Sequence, residues 1–236
     1  MRREDFETQV VSVAALGDPT RRALYEFVVH QAEPVSRDQA AEGVQVARHI
    51  AKFHLDRLED EHLLEVEFHR PPGRRGPGAG RPAKFYRRAS REFAVSLPAR
   101  RYDLAGQVMA RAITTSQQAG ASVTDALREA AGSVGRTMAD QVNKSTGSRP
   151  NQTVTGRALS DILAQGGYEP RGTANGLTLG NCPFHSLARE YPALVCGMNE
   201  DLIRGLLAAV PSTTLRAKLD PAPGRCCVTL TTAAPA

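Results

Sequence analysis

The residues best suited to chemistry in this 236-residue chain fall into two groups, one sulfur-bearing and one cationic. All four cysteines, Cys182, Cys196, Cys226 and Cys227, lie in the final third together with His185. In a reducing compartment, grouped thiols more often bind metal or respond to oxidants than form disulfides. Their spacing is not the paired Cys-x-x-Cys of a zinc ribbon, and only Cys182 with His185 makes a local ligand pair. Adjacent residues of a strand point to opposite faces, so Cys226 would group with Val228 and Leu230, and Cys227 with Thr229. One of the two is then the ligand, and alternation favours Cys182, Cys196 and Cys227 as a three-thiolate set. His185 would complete it as a tetrahedral zinc site, or a non-protein group would; buried structural cysteines without metal are the alternative reading.

The cationic group has two parts. Arg70 to Arg91 holds eight basic residues and no acidic one, whereas residues 1–69 are net acidic. Within it Arg74, Arg75 and Arg81 stand among glycine and proline, which keep a backbone slim and let guanidinium groups approach phosphates or a narrow minor groove; Lys84 follows. The second part is Gln45, Arg48, His49 and Lys52, side chains of the kind that reach base edges in a major groove. Solvated surface charge is the plainer reading of both parts taken alone.

What must position these residues is legible in the local pattern. Asp18 before Pro19 is an N-cap followed by proline at the first helical position. Phe6, Val10 and Val13, then Leu24, Phe27 and Val28, recur at helical spacing, predicting amphipathic helices over residues 4–16 and 19–31. Pro34 ends the second, and Ser36 with Gln39 fits a capping box opening a short helix to about Gly43. A further helix is expected from about Ala47 to Glu61, with Ile50, Phe53 or His54, Leu55 and Leu58 inward and Arg48, His49, Lys52 and Asp56 outward. Leu64, Val66 and Phe68 then alternate with Glu65, Glu67 and His69 as a half-buried strand does. Pro71 to Pro82 reads as a loop, with Lys84 to Arg87 as the returning strand. Three helices with a tight second-to-third turn and a basic-tipped hairpin make a winged helix-turn-helix.

The segments Leu16-Gly-Asp-Pro-Thr-Arg-Arg22, Phe53-His-Leu-Asp-Arg-Leu58 and Gly80-Arg-Pro-Ala-Lys-Phe-Tyr86 resemble the ArsR-type winged-helix regulators of bacteria over roughly the first 90 residues. Where that family usually carries Ser or Thr at the start of the recognition helix, this chain has Ala47. Farther on, Asn181-Cys-Pro-Phe-His185, Val195-Cys-Gly-Met-Asn199 and Pro223-Gly-Arg-Cys-Cys-Val228 resemble the C-terminal domain of ArsR-like regulators that include the iron-sulfur-responsive SufR group. That resemblance implies an iron-sulfur cluster at the cysteines, with zinc as the alternative if His185 joins.

The fold expected is therefore α+β, in three parts. Residues 1–95 form a winged helix-turn-helix, and residues 96–150 a helical segment patterned on Leu104, Val108, Ala112, Val123, Leu127, Val134, Met138 and Val142. Residues 151–236 form a small α/β sensor domain with helices over 158–165 and 200–210 and strands near Tyr168, 177–179, 214–219 and 227–230. The middle helices serve either a homodimer interface or an intramolecular bundle, and Ser145 to Gln152 reads as a linker. A 41% apolar composition excludes a wholly disordered chain, and no run approaches the roughly 18 apolar residues of a membrane span. Those features predict a cytoplasmic, non-membrane protein. No phosphate-cradling glycine loop ends in Lys-Ser/Thr, and no third group orients the Cys182/His185 pair, so the reading is a non-enzymatic regulator of double-stranded DNA. A thiol or metal enzyme, and a winged-helix module that binds protein, are the alternatives.

Overall fold

The computed structural model describes residues 3–69, 82–146, 151–211 and 213–232. The chain is α+β and divides into two units, Arg2–Val95 and Ser96–Ala236, each with its own apolar core.

In the first unit α1 (Arg3–Ala15) leads into α2 (Pro19–Val29), where the Asp18 carboxylate accepts the Arg21 N–H at 2.8 Å and Pro19 opens the helix. The capping box forms as the sequence predicts. Gln39 N–H donates to Ser36 Oγ at 3.3 Å, and Ser36 N–H donates to Gln39 Oε1 at 2.8 Å, starting α3 (Arg37–Val44). Gln45 follows in the left-handed region at φ 58°, turning the chain within three residues into α4 (Arg48–Asp60). Ala47 stands at the N-cap of α4 and supplies no side-chain bond.

The α4 stripe that enters the core is Ala51, His54, Leu55 and Leu58. His54 belongs inside because it shares a face with Ala51 and Leu58, three and four residues away. Ile50 and Phe53 lie off that stripe and are exposed, so the expectation that Ile50 points inward is corrected. A similar correction applies to α1, which buries Ser12 and Ala15 and leaves Val10 and Val13 outside, because its small residues are the ones turned toward the core. Strands β1 (Val35–Ser36), β2 (Leu64–His69) and β3 (Ala83–Arg88) form an antiparallel sheet in the order β1-β3-β2. The two-residue β1 has no sequence signal of its own. Along β2 the expected alternation holds only near its start: Leu64 is buried, Val66 half-buried and Phe68 exposed, as the hairpin runs out beyond the helices.

The second unit corrects the three-part reading. Helices α5 (Tyr102–Ala119) and α6 (Val123–Thr146) do not form a separate segment at residues 96–150. Val108, Ala112, Leu127 and Val142 enter the same core as Leu159 and Leu163 of α7 (Gln152–Gln165) and Leu202, Ile203 and Leu206 of α9 (Pro192–Ala208). The intramolecular bundle is thus what these apolar faces build. The α6–α9 crossing is close enough to require glycine. A Cβ on Gly135 would sit 2.0 Å from the Leu202 carbonyl oxygen, and one on Gly205 would sit 2.2 Å from that of Gly132. The expected linker shrinks, since α6 continues through Thr146 and α7 already begins at Gln152, N-capped by Asn151.

Strands β4 (Pro170–Thr173), β5 (Gly176–Leu179), β6 (Leu215–Leu219) and β7 (Val228–Thr232) make an antiparallel sheet in the order β4-β5-β7-β6. The short α8 (His185–Glu190) is an element the sequence pattern does not mark. The helix expected from Glu200 starts at Pro192, which places Cys196 on it.

Candidate nucleic-acid interface and thiol cluster

On α4, Arg48, His49 and Lys52 are exposed, and Gln45 is exposed in the turn before it, as the sequence predicts. Arg48 Nε lies 2.6 Å from Asp38 Oδ1 and Lys52 Nζ lies 3.4 Å from Asp56 Oδ2. Pairs this open to water are worth at most about 1 kcal/mol and exchange readily for other anions. Between α4 and the base of the hairpin runs a cleft of about 400 Å³, bordered by Arg37, Asp38, Arg48, Lys52 and Lys84. Arg37 was not singled out by sequence. Its Nε is buried and has no hydrogen-bond partner among the described residues.

Lys84 is placed differently from the expectation that it meets DNA. Its ammonium donates to Asp56 Oδ1 at 2.9 Å and to Glu59, and the Tyr86 hydroxyl donates to the same Asp56 oxygen at 3.0 Å. Burial pushes the Asp56 carboxyl upward, but hydrogen bonds from Lys84 and Tyr86 outweigh it and hold that carboxyl below its ordinary value. Burial lowers the Lys84 value, yet the bonds to Glu59 and Asp56 leave it raised overall. Burial, with Asp56 beside it, pushes the Tyr86 phenol up to about 12. Lys84 thus clamps β3 to α4, and only about a fifth of its side chain is exposed. Arg74, Arg75 and Arg81, expected in the wing, lie outside the described residues.

Helices α2 to α4 with the hairpin present a second-to-third helix turn and an exposed basic helix face. Residues 16–67 match the family described as a helix-turn-helix domain. That match supports a DNA-binding regulator. The comparison with curated proteins and the comparison with solved structures each found no match. The helix-turn-helix match covers the first unit's α2, α3, α4 and the start of β2, the elements that hold Gln45, Arg48, His49 and Lys52.

In the second unit the four cysteines are free thiols brought into one neighbourhood from three separate stretches of chain. Cys182 lies beside Cys226, Cys226 beside Cys227, and Cys227 beside Cys196, each near enough to shift its neighbour's titration. Cys226 and Cys227 precede β7 rather than beginning it, so strand alternation does not separate them and both join the cluster. The alternation that favoured Cys182, Cys196 and Cys227 as the set therefore does not apply at these two residues. Neither the cluster's contacts nor its burial includes His185, which is exposed at the start of α8. Among the described residues no three His, Cys, Asp or Glu side chains converge closely enough to hold a single metal ion.

The cluster is held by a buried polar frame. Tyr168 Oη donates to Asn199 Oδ1 at 2.5 Å, and Asn199 Nδ2 donates to Cys226 Sγ at 3.2 Å. Arg100 donates to Asn181 Oδ1 at 2.6 Å and to the Cys182 carbonyl at 3.2 Å, while Asn181 Nδ2 donates to the Gly167 carbonyl at 2.6 Å. The Cys226 thiol and burial push the Cys182 thiol far up. Burial raises Cys196, against a lowering bond from Cys227. For Cys226 the bond from Cys182 lowers the value, but Cys227 and burial prevail and leave it at about 11. These three thiols are therefore protonated at neutral pH. Burial and the sulfurs of Cys226, Cys182 and Cys227 raise Tyr168 well above an ordinary phenol. Sequence gave no reason to single out Tyr168 or Asn199; the one available signal was an amide at position 199 within the apolar stripe of α9.

Proposed function

We propose that this chain is a DNA-binding transcriptional regulator of the ArsR-like winged-helix kind, a homodimer whose C-terminal thiols receive the input. The observation that carries the first part is the exposed Arg48–His49–Lys52 face of α4 within the helix-turn-helix match. The N-terminal half of α4 carries these cations and no carboxylate, while Asp56, Glu59 and Asp60 fall in its C-terminal half. A duplex is therefore met by the N-terminal half, the end that reads base edges in this class of motif. The homodimer rests on the two-fold symmetry such readers share with their sites.

For the input, the resemblance to the SufR group points to an iron-sulfur cluster. The donor chemistry agrees with it in kind, since four free thiols gathered in one neighbourhood are the donor set of the common clusters. A lone tetrahedral zinc needs all its donors about 2.3 Å or less from one point and does not fit this arrangement. Cys182, Cys196, Cys226 and Cys227 would hold the cluster, which would supply redox sensitivity. Loading it requires the raised thiols of Cys182, Cys196 and Cys226 to give up their protons, so it releases acid and weakens as pH falls. The same protonation makes Cys182, Cys196 and Cys226 poor nucleophiles, which favours a sensor over a thiol enzyme built on them.

The test is the absorption spectrum and metal content of anaerobically purified protein, followed by titration of loaded and unloaded forms on one operator. A cluster spectrum and unequal affinities are expected, and operator binding must then shift cluster affinity by the same factor. Equal affinities remove sensing, and failure to retard any duplex at low salt removes the DNA reading in favour of a protein-binding module.

A further inference from the structure

The side chain standing farthest from the α4 core stripe beside His49 is apolar. Ala51, His54, Leu55 and Leu58 mark the buried side, and on the opposite side Phe53 follows His49 by one turn with 66% of its surface exposed. Ile50, three residues before Phe53 on the neighbouring row, is 38% exposed. The Phe53 ring meets the His54 imidazole edge-on at 5.2 Å between centroids, and His54 is buried. An aromatic at the crest of this helix contributes little to the core beneath it. His49 precedes it by one turn and Lys52 adjoins it in the chain, both in the half of α4 that is free of carboxylates, while Asp56 and Arg57 follow it by three and four residues, so the side toward the helix N-terminus is the one suited to a polyanion.

Of the features base pairs display in the major groove, the C5-methyl of thymine is the apolar one; the others are hydrogen-bond donors and acceptors. We propose that Phe53, with Ile50 beside it, is a specificity-determining pair that selects thymine by packing on its C5-methyl group. This rests on the DNA-binding reading above and names what that helix face prefers. Arg48 and Lys52 then supply phosphate or guanine contacts, while Phe53 adds discrimination without charge.

The experiment first selects the best duplex from a randomised pool with the full-length protein at fixed salt. Each thymine in it is then replaced in turn by deoxyuridine, which removes only the methyl. Burying one methyl is worth about 0.8 kcal/mol, so deoxyuridine at a contacted position weakens wild-type binding about fourfold. In Phe53→Ser the ratio of thymine to deoxyuridine affinity at that position falls to about one, with the salt dependence unchanged. In Arg48→Ala binding weakens overall while the fourfold ratio survives. Phe53→Leu, which keeps an apolar surface, retains part of the ratio and guards against a folding defect in the serine variant. Binding with no deoxyuridine-sensitive position, or a ratio that persists in Phe53→Ser, overturns the inference and leaves DNA binding standing. No binding to any duplex overturns both.

Discussion

Replacing Lys84 with methionine separates a structural cation from a phosphate contact, two roles that sequence could not tell apart. The substitution keeps the aliphatic stem and removes the charge shared by Asp56 and Glu59, whose side chains are 34% and 30% exposed. Fully exposed pairs contribute about 0–1 kcal/mol, and hydrogen bonds to charged groups about 1.5–3 kcal/mol. A half-screened site with two such bonds falls between, at about 1–2 kcal/mol. For a unit of this size that lowers the melting transition by roughly 5–15 °C. The pH dependence follows from the direction of the shifts. Asp56 is held below 3.8, so its share is present above that value and lost as pH falls through the folded-state value. Lys84 is raised above 10.5, so its share is complete below that value and lost only in strong alkali. Calorimetry should therefore show the full difference between wild type and Lys84→Met near neutral pH and a shrinking one below about pH 4. The reasoning is refuted if the variant melts like wild type and instead flattens the plot of log affinity against log salt by about 0.9, the signature of one lost phosphate contact.

Three further outcomes are expected. Ala47→Ser supplies the missing oxygen at an N-cap whose backbone is already extended, at φ −62° and ψ 142°, and should raise the stability of the first unit by about 1 kcal/mol in denaturant titration. Gly205→Ala drives a methyl into the Gly132 backbone and should cost the second unit at least about 1–3 kcal/mol, whereas Gly197→Ala, in open space on the same helix, should not. Asn199→Leu strands the buried Tyr168 hydroxyl and removes the donor to Cys226 Sγ, costing about 1–3 kcal/mol by thermal melting; an unchanged melting temperature would show that another group or water replaces it.

The sequence alone determined the helix starts at Asp18 and Ser36, the position of α4, and the paired strands flanking the basic loop. All of these rest on interactions within a few residues, caps and periodicities whose partners are already neighbours along the chain. It could also place the cations of α4, because the side opposite a helix's apolar stripe is exposed wherever that helix packs. Which of Phe53 and His54 turns inward was a choice between adjacent residues, and only the packing of α4 against the rest of its unit made it. Tertiary structure likewise assigned Lys84 to Asp56, 28 residues away, and merged α5 and α6 with the C-terminal core, since periodicity names an apolar face but not what covers it. The thiol cluster is the fullest instance: Cys182, Cys196 and the Cys226–Cys227 pair come from a loop, a helix and the approach to a strand. No local pattern encodes the convergence of such distant segments, because it is fixed by how the helices and sheet close over one core.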